Sequence, residues 1–170
     1  MLDLPLKILI VEDNIADAEL IAYHVRKIIS KPSIQITNLY DETLHVIEVF
    51  RPDIILSDYQ LNSFNGLDVL QYINQSLLPI PIIFITGTVN NTELAPHTII
   101  EEGNGIILKK DMNNIQDKLY PFFKHASNLN LIKRNKIEEE NANFIDFSTI
   151  EVDIEKVIEE IKTSIDLSTK

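Results

Sequence analysis

The chain has 170 residues, 45% of them hydrophobic and 24% charged, with a net charge of −11. That fits one compact domain with a short appendage, and it excludes much. So acidic a chain lacks the clustered Lys and Arg that nucleic acid contacts need, and it is ill suited to anionic membranes. Without cysteine there are no disulfides, thiolate nucleophiles or Cys-based metal sites. His24, His45, His97 and His125 lie far apart, without metal-ligand spacing. The acidic start has no basic leader, and no run approaches the roughly 18 apolar residues of a membrane span. A cytoplasmic protein is expected.

The first element is KILIV (7–11), short, continuous and β-branched, as in a strand covered on both faces. The stripe at 15, 18, 21, 22, 25, 28 and 29 then predicts a helix capped by Asp13 or Asn14. SIQITNL (33–39) reads as a second strand. DETLHVIEVF (41–50) reads as a second helix, stopped by Pro52. DIILS (53–57) is a third strand, and GLDVLQYINQSL (66–77) a third helix opened by a turn at Asn65 and Gly66, where glycine tolerates positive φ.

IPIIFIT (80–86) and GIILK (105–109) give the fourth and fifth strands. Pro96 lies between them and predicts a short or kinked helix. A final helix begins near Asn113, with Asp111 as its cap and Pro121 as a perturbation. Five alternations of strand and helix with short connections specify a doubly wound five-stranded parallel sheet between two helix layers. Right-handed crossovers leave few topologies, and with strands one and three central the order 2-1-3-4-5 is the expectation.

The domain is expected over 1–128, with a charged linker and an amphipathic C-terminal helix over 129–170. Ser148 and Glu151 form a potential capping box for that helix, whose apolar residues fall at 154, 157, 158, 161 and 165. Its sticky face is open to three partners: the domain itself, a second copy in a homodimer, or another protein.

Polar residues stand at the strand ends. Glu12 and Asp13 follow strand one, Asp58 strand three, Thr86 ends strand four and Lys109 strand five. In a parallel sheet all of these share the carboxyl edge, where open α/β folds bind ligands. Asp58 alone reads as a loop-initiating acid; in this company it reads as part of a site. Carboxylate pairs at 5 Å and an effective dielectric near 20 repel by roughly 3 kcal/mol each. Either some of their pKa values rise or a cation enters, and oxygen-only donors suit Mg²⁺. Carboxylate, Mg²⁺, lysine and hydroxyl together suit phosphoryl transfer onto Asp58. Tyr59 is expected to be exposed and to gate the site.

The pieces ILIVEDN, PDIILSDYQL…NG, IIFITGT and GIILKKD, over roughly residues 5 to 125, resemble the receiver domain of two-component response regulators. That family has the flavodoxin-like order 2-1-3-4-5, and the order expected above draws partly on it. The resemblance implies Asp58 as phosphoacceptor, with Glu12, Asp13, Asp58 and the backbone carbonyl of Gln60 holding Mg²⁺. It implies that Lys109 binds the phosphoryl group and that the Thr86 hydroxyl turns toward it. Gly87 leaves room for the group, and Gln60 and Thr88 tune autodephosphorylation. The implied phosphodonor is a sensor histidine kinase or a His-containing phosphotransfer protein, and the implied output is a switched face for a downstream protein.

Departures from the pattern are Lys110 where many members carry Pro, Asn62 where Pro is common, and Ile106 where an aromatic is common. SDYQL, TGT and LKKDM are similar to receivers associated with sensory histidine kinases and phytochromes. The expectation is a stand-alone receiver with a helical extension and no recognisable output domain. A pseudo-receiver that binds a partner without phosphorylation is the alternative. A haloacid-dehalogenase-like phosphatase ranks lower, because it needs a second Asp where Gln60 stands.

Overall fold

The computed structural model describes residues 1–87 and 105–142. In chain order they form β1 (Leu2–Val11), α1 (Ile15–Ile28), β2 (Ile29–Thr37), α2 (Tyr40–Phe50), β3 (Ile54–Ser57), α3 (Gly66–Gln75), β4 (Ile82–Thr86), β5 (Gly105–Leu108), a 3-10 turn (Lys109–Asn114) and α4 (Ile115–Ala142). The expected helix near Pro96 and the C-terminal helix with Ser148 and Glu151 lie outside the described residues. Contacts divide the chain into units Met1–Leu131 and Ile132–Lys170; the sheet lies in the first. Among the described residues no helix is long and apolar enough to cross a membrane.

The five strands pair in parallel in the order β2-β1-β3-β4-β5, as expected. Alternate strand residues feed two cores, which is why the central strands are apolar throughout. Ile8, Ile10, Ile54, Leu56, Ile83, Ile85 and Ile107 pack with Ile21 and Val25 of α1 and with Leu119 and Phe123 of α4. Leu9, Val11, Ile55, Ile82 and Phe84 pack on the other face with Ile47 of α2 and with Val69 and Ile73 of α3.

Several boundaries differ from expectation. β1 begins at Leu2 and β2 at Ile29, because the two pair beyond the rest of the sheet, from Leu2↔Ile29 through an irregularity to Pro5↔Lys31 and onward. Pro5 and Pro32 fit there: β2 is an edge strand, and β1 pairs with β3 only from Ile8. α3 stops at Gln75, two residues early. Ser76 caps it and Leu77 turns to a φ of 53°. Pro121 lies inside α4 without ending it. The residue is exposed, so water can serve the carbonyl its missing N–H leaves.

Candidate functional site

One level of the sheet runs Thr37–Val11–Ser57–Phe84–Ile106, each residue the register partner of the next. The residues just past this line form the carboxyl edge. Alternation then sorts them by face. Glu12 continues Ile8 and Ile10, Asp58 continues Ile54 and Leu56, and Lys109 continues Ile107, all toward α1 and α4. Thr86 continues Ile82 and Phe84 on the opposite parity. Backbone bonds fix two of these residues, from Glu12 N–H to the Thr37 carbonyl at 3.0 Å and from Asp58 N–H to the Val11 carbonyl at 2.9 Å.

Lys109 crosses the edge to meet three carboxylates. Its Nζ lies 2.6 Å from Asp17 Oδ2, 2.7 Å from Asp58 Oδ2 and 2.8 Å from Glu12 Oε2. Asp58 is 7% exposed, and its Oδ1 accepts the Gln60 N–H at 3.1 Å. Glu12 is 2% exposed. Its Oε1 accepts the Asn14 N–H at 3.1 Å, while Oε2 faces Lys109 without well-aligned hydrogen-bond geometry. Asp13 is turned aside, its Oδ2 accepting the Asn62 N–H at 2.9 Å. A recess of about 310 Å³ beside Glu12 and Asp13 adds the carboxylates of Glu19 and Glu42.

Burial raises the Glu12 pKa above its ordinary value, and the nearby Asp58 charge adds to the rise; the Lys109 hydrogen bond and the Asn14 N–H only partly offset it. For Lys109, burial disfavours the charged form. The hydrogen bonds to Asp17, Asp58 and Glu12 outweigh it, so its pKa stays well above the usual lysine range.

The donor set fits a hard divalent cation: every ligand is oxygen, three carboxylates face one ammonium, and a buried Glu12 oxygen has no aligned donor. The set is not preassembled. Among the described residues no three acidic or histidine side chains are spaced to hold an ion jointly, because Asp13 faces Asn62 and Lys109 fills the gap between the others.

The structure brings Glu12, Asp58 and Lys109 into contact, with Gln60 on Asp58 through its N–H. Thr86 is buried at the end of β4, level with Leu108. A Cβ built at Gly87 meets nothing within 4 Å, and Thr88 lies outside the described residues. Asp17 is the residue sequence reasoning passed over. Tyr59 is a correction: it is 8% exposed and packs edge-on against Phe84, with ring centroids 6.1 Å apart. It follows Ile55 and Ser57 onto the inner α2–α3 face, so it lacks the exposure expected of it. Asp111 sits inside the 3-10 turn and pairs with Lys118, its pKa lowered by that bond.

Fold and edge together define a class: a doubly wound α/β domain whose acidic carboxyl edge is crossed by the lysine that follows β5. The family model described as response regulator receiver domain matches residues 8–120, and the chain belongs to that family, the receiver domains of two-component response regulators. A similar solved structure is the signal receiver domain of a Vibrio parahaemolyticus protein described as a Luxo repressor, with 25% identity and a TM-score of 0.65 over 76% of this chain and 98% of that one. The BeF3-activated N-terminal receiver domain of Klebsiella pneumoniae RstA has 26% identity and a TM-score of 0.50 over 61% and 85%. The response regulator domain of Thermotoga maritima CheB, at 18% identity and a TM-score of 0.56 over 74% and 98%, shares the fold. No curated protein matches the chain.

Proposed function

We propose that the chain is a phosphoacceptor response regulator in which Asp58 takes a phosphoryl group from a histidine kinase or a His-containing phosphotransfer protein. The observation that carries the reading is the Asp58 carboxylate itself. It ends a central strand, with one oxygen on the Gln60 N–H and the other on Lys109. A carboxylate oxygen attacks phosphorus, an O–P bond forms, the N–P bond of phosphohistidine breaks, and the imidazole leaves as its nitrogen takes up a proton. Lys109 then offsets charge on the phosphoryl oxygens, and the Gln60 N–H keeps the carboxylate oriented. Thr86, Gly87 and Thr88 are the proposed surroundings of the group.

Glu12, Asp13, Asp58 and the Gln60 carbonyl would hold Mg²⁺, which supplies charge neutralisation on the transferring group. The acyl phosphate biases a two-state surface read by a downstream protein. The reading implies a cytoplasmic chain.

Beryllofluoride or acetyl phosphate with Mg²⁺, applied to wild type and Asp58→Asn, tests this. A mass gain or spectral change in wild type alone is the expected result. The competing pseudo-receiver draws on one observation, that Lys109 pairs three carboxylates at the edge. No Asp58-dependent change would leave that protein-binding reading ahead.

A further inference from the structure

Asp17 has no part in the chemistry above, yet it makes the shortest contact to Lys109, 2.6 Å. It reaches the site because Asn14 starts α1 at the carboxyl edge. The Asn14 side chain accepts the backbone N–H groups of Ala16 and Asp17, which puts the Asp17 carboxylate in the first turn above the buried stripe of Ile21, Val25 and Ile28. The side chain is one-third exposed and can exchange partners.

A lysine ammonium has three N–H donors. Asp17 and Asp58 accept two of them, and Glu12 Oε2 lies 2.8 Å from the same nitrogen without aligned geometry. An arriving phosphoryl oxygen must enter among these three carboxylates and push one aside. Asp58 becomes the acceptor, and Glu12 belongs to the cation, so Asp17 is the competitor that neither partner of the reaction removes. Its charge also acts with opposite sign on the two ligands, attracting a divalent cation and repelling a phosphoryl anion.

We propose that Asp17 is a positioning residue that latches Lys109 toward α1, strengthening cation binding while weakening the hold on the phosphoryl group. The proposal rests on the phosphoacceptor reading. A single charge at such distances shifts each affinity by about five- to tenfold.

The test uses the full chain and two variants. In Asp17→Asn, Mg²⁺ affinity measured by titration calorimetry should fall about fivefold. At saturating Mg²⁺, beryllofluoride affinity should rise by about the same factor. Asp17→Glu keeps the charge and should shift both affinities back toward wild type. Structural damage moves both affinities of Asp17→Asn downward together, so a loss of both, or no change in either, overturns the latch while leaving wild-type activation intact. A wild-type chain that takes no beryllofluoride overturns the phosphoacceptor reading and the latch with it.

Discussion

Lys109 donates to Asp58 at 2.7 Å although 51 residues separate them and a whole strand, β4, lies between their own strands. Their side chains meet because both continue the α1–α4 parity of their strands past the carboxyl edge. The same ammonium serves Glu12 and Asp17, so it is the main counter-charge of the site.

Lys109→Ala should therefore destabilise the metal-free protein. Removing one partner of a fully buried pair costs about 3–5 kcal/mol. The Lys109 side chain keeps 19% exposure, so about 2 kcal/mol is the expected loss, read as a lowered urea midpoint at unchanged slope. Millimolar Mg²⁺ should restore part of it, because a cation can then serve the orphaned carboxylates. A variant as stable as wild type, or indifferent to Mg²⁺, would contradict this account of the site.

Glu12 makes a prediction about pH. Burial holds its folded pKa above the ordinary carboxylate value, so the folded state holds the proton more tightly than the unfolded one. The stability this gives is full below the unfolded pKa and is lost as pH rises through the folded pKa. Wild type should thus lose stability from about pH 4.5 upward into the range of the raised pKa. Glu12→Gln, which cannot ionise, should show a shallower fall and be more stable at neutral pH without metal. Denaturation curves across pH 4 to 8 decide it. An unchanged slope in the variant would assign the fall to other groups.

Much of this was legible in the sequence because strand parity is rigid. KILIV followed by Glu12, and DIILS followed by Asp58, already put two acids at one edge, and the sheet order follows partly from the crossover rule and partly from the family resemblance. The same parity, carried one residue past Ser57, would have turned Tyr59 inward; reading its neighbours as loop lost that signal. Asp17 was readable from the helix. Extending the stripe of Ile21, Val25 and Ile28 back one turn lands on it, and a helix after β1 must begin at the carboxyl edge. The early starts of β1 and β2 were not readable, because Pro5 and Pro32 mark a strand end unless the sheet edge is known. Nor was the Asp13 orientation, which depends on an N–H of Asn62, 49 residues away.

Leu77 holds a left-handed backbone, with φ at 53°, while its side chain is 88% exposed and so has little packing to justify the strain. A left-handed conformation costs an L-residue roughly 1–2 kcal/mol, and glycine avoids that at some entropic cost in the unfolded chain. Leu77→Gly should therefore stabilise the protein by about 0.5–1 kcal/mol, seen as a higher thermal midpoint without change in the Mg²⁺ or beryllofluoride response. A lower midpoint would mean that the exposed leucine has a contact worth more than the strain.

Gly66 sits where α3 meets the site, and space rather than φ decides its identity. A Cβ placed there would lie 2.7 Å from the Asp58 carbonyl oxygen and 2.5 Å from Phe84 Cε1, well inside contact distance. The ring has little room to yield, since Phe84 is fully buried and Tyr59 packs on it. The carbonyl can yield only by moving the residue that carries the acceptor carboxylate. Gly66→Ala should thus cost about 1–3 kcal/mol, the usual range for overpacking. It should also weaken beryllofluoride binding, because the strain falls on Asp58 itself. A control separates the two effects. At the same helix start Asn65 and Asp68 form a capping box, each side chain accepting the other's backbone N–H. Asn65→Ala should cost a similar ~1 kcal/mol without crowding Asp58. Equal losses of beryllofluoride affinity in both variants would trace the effect to the helix start; a loss confined to Gly66→Ala ties it to the Asp58 backbone.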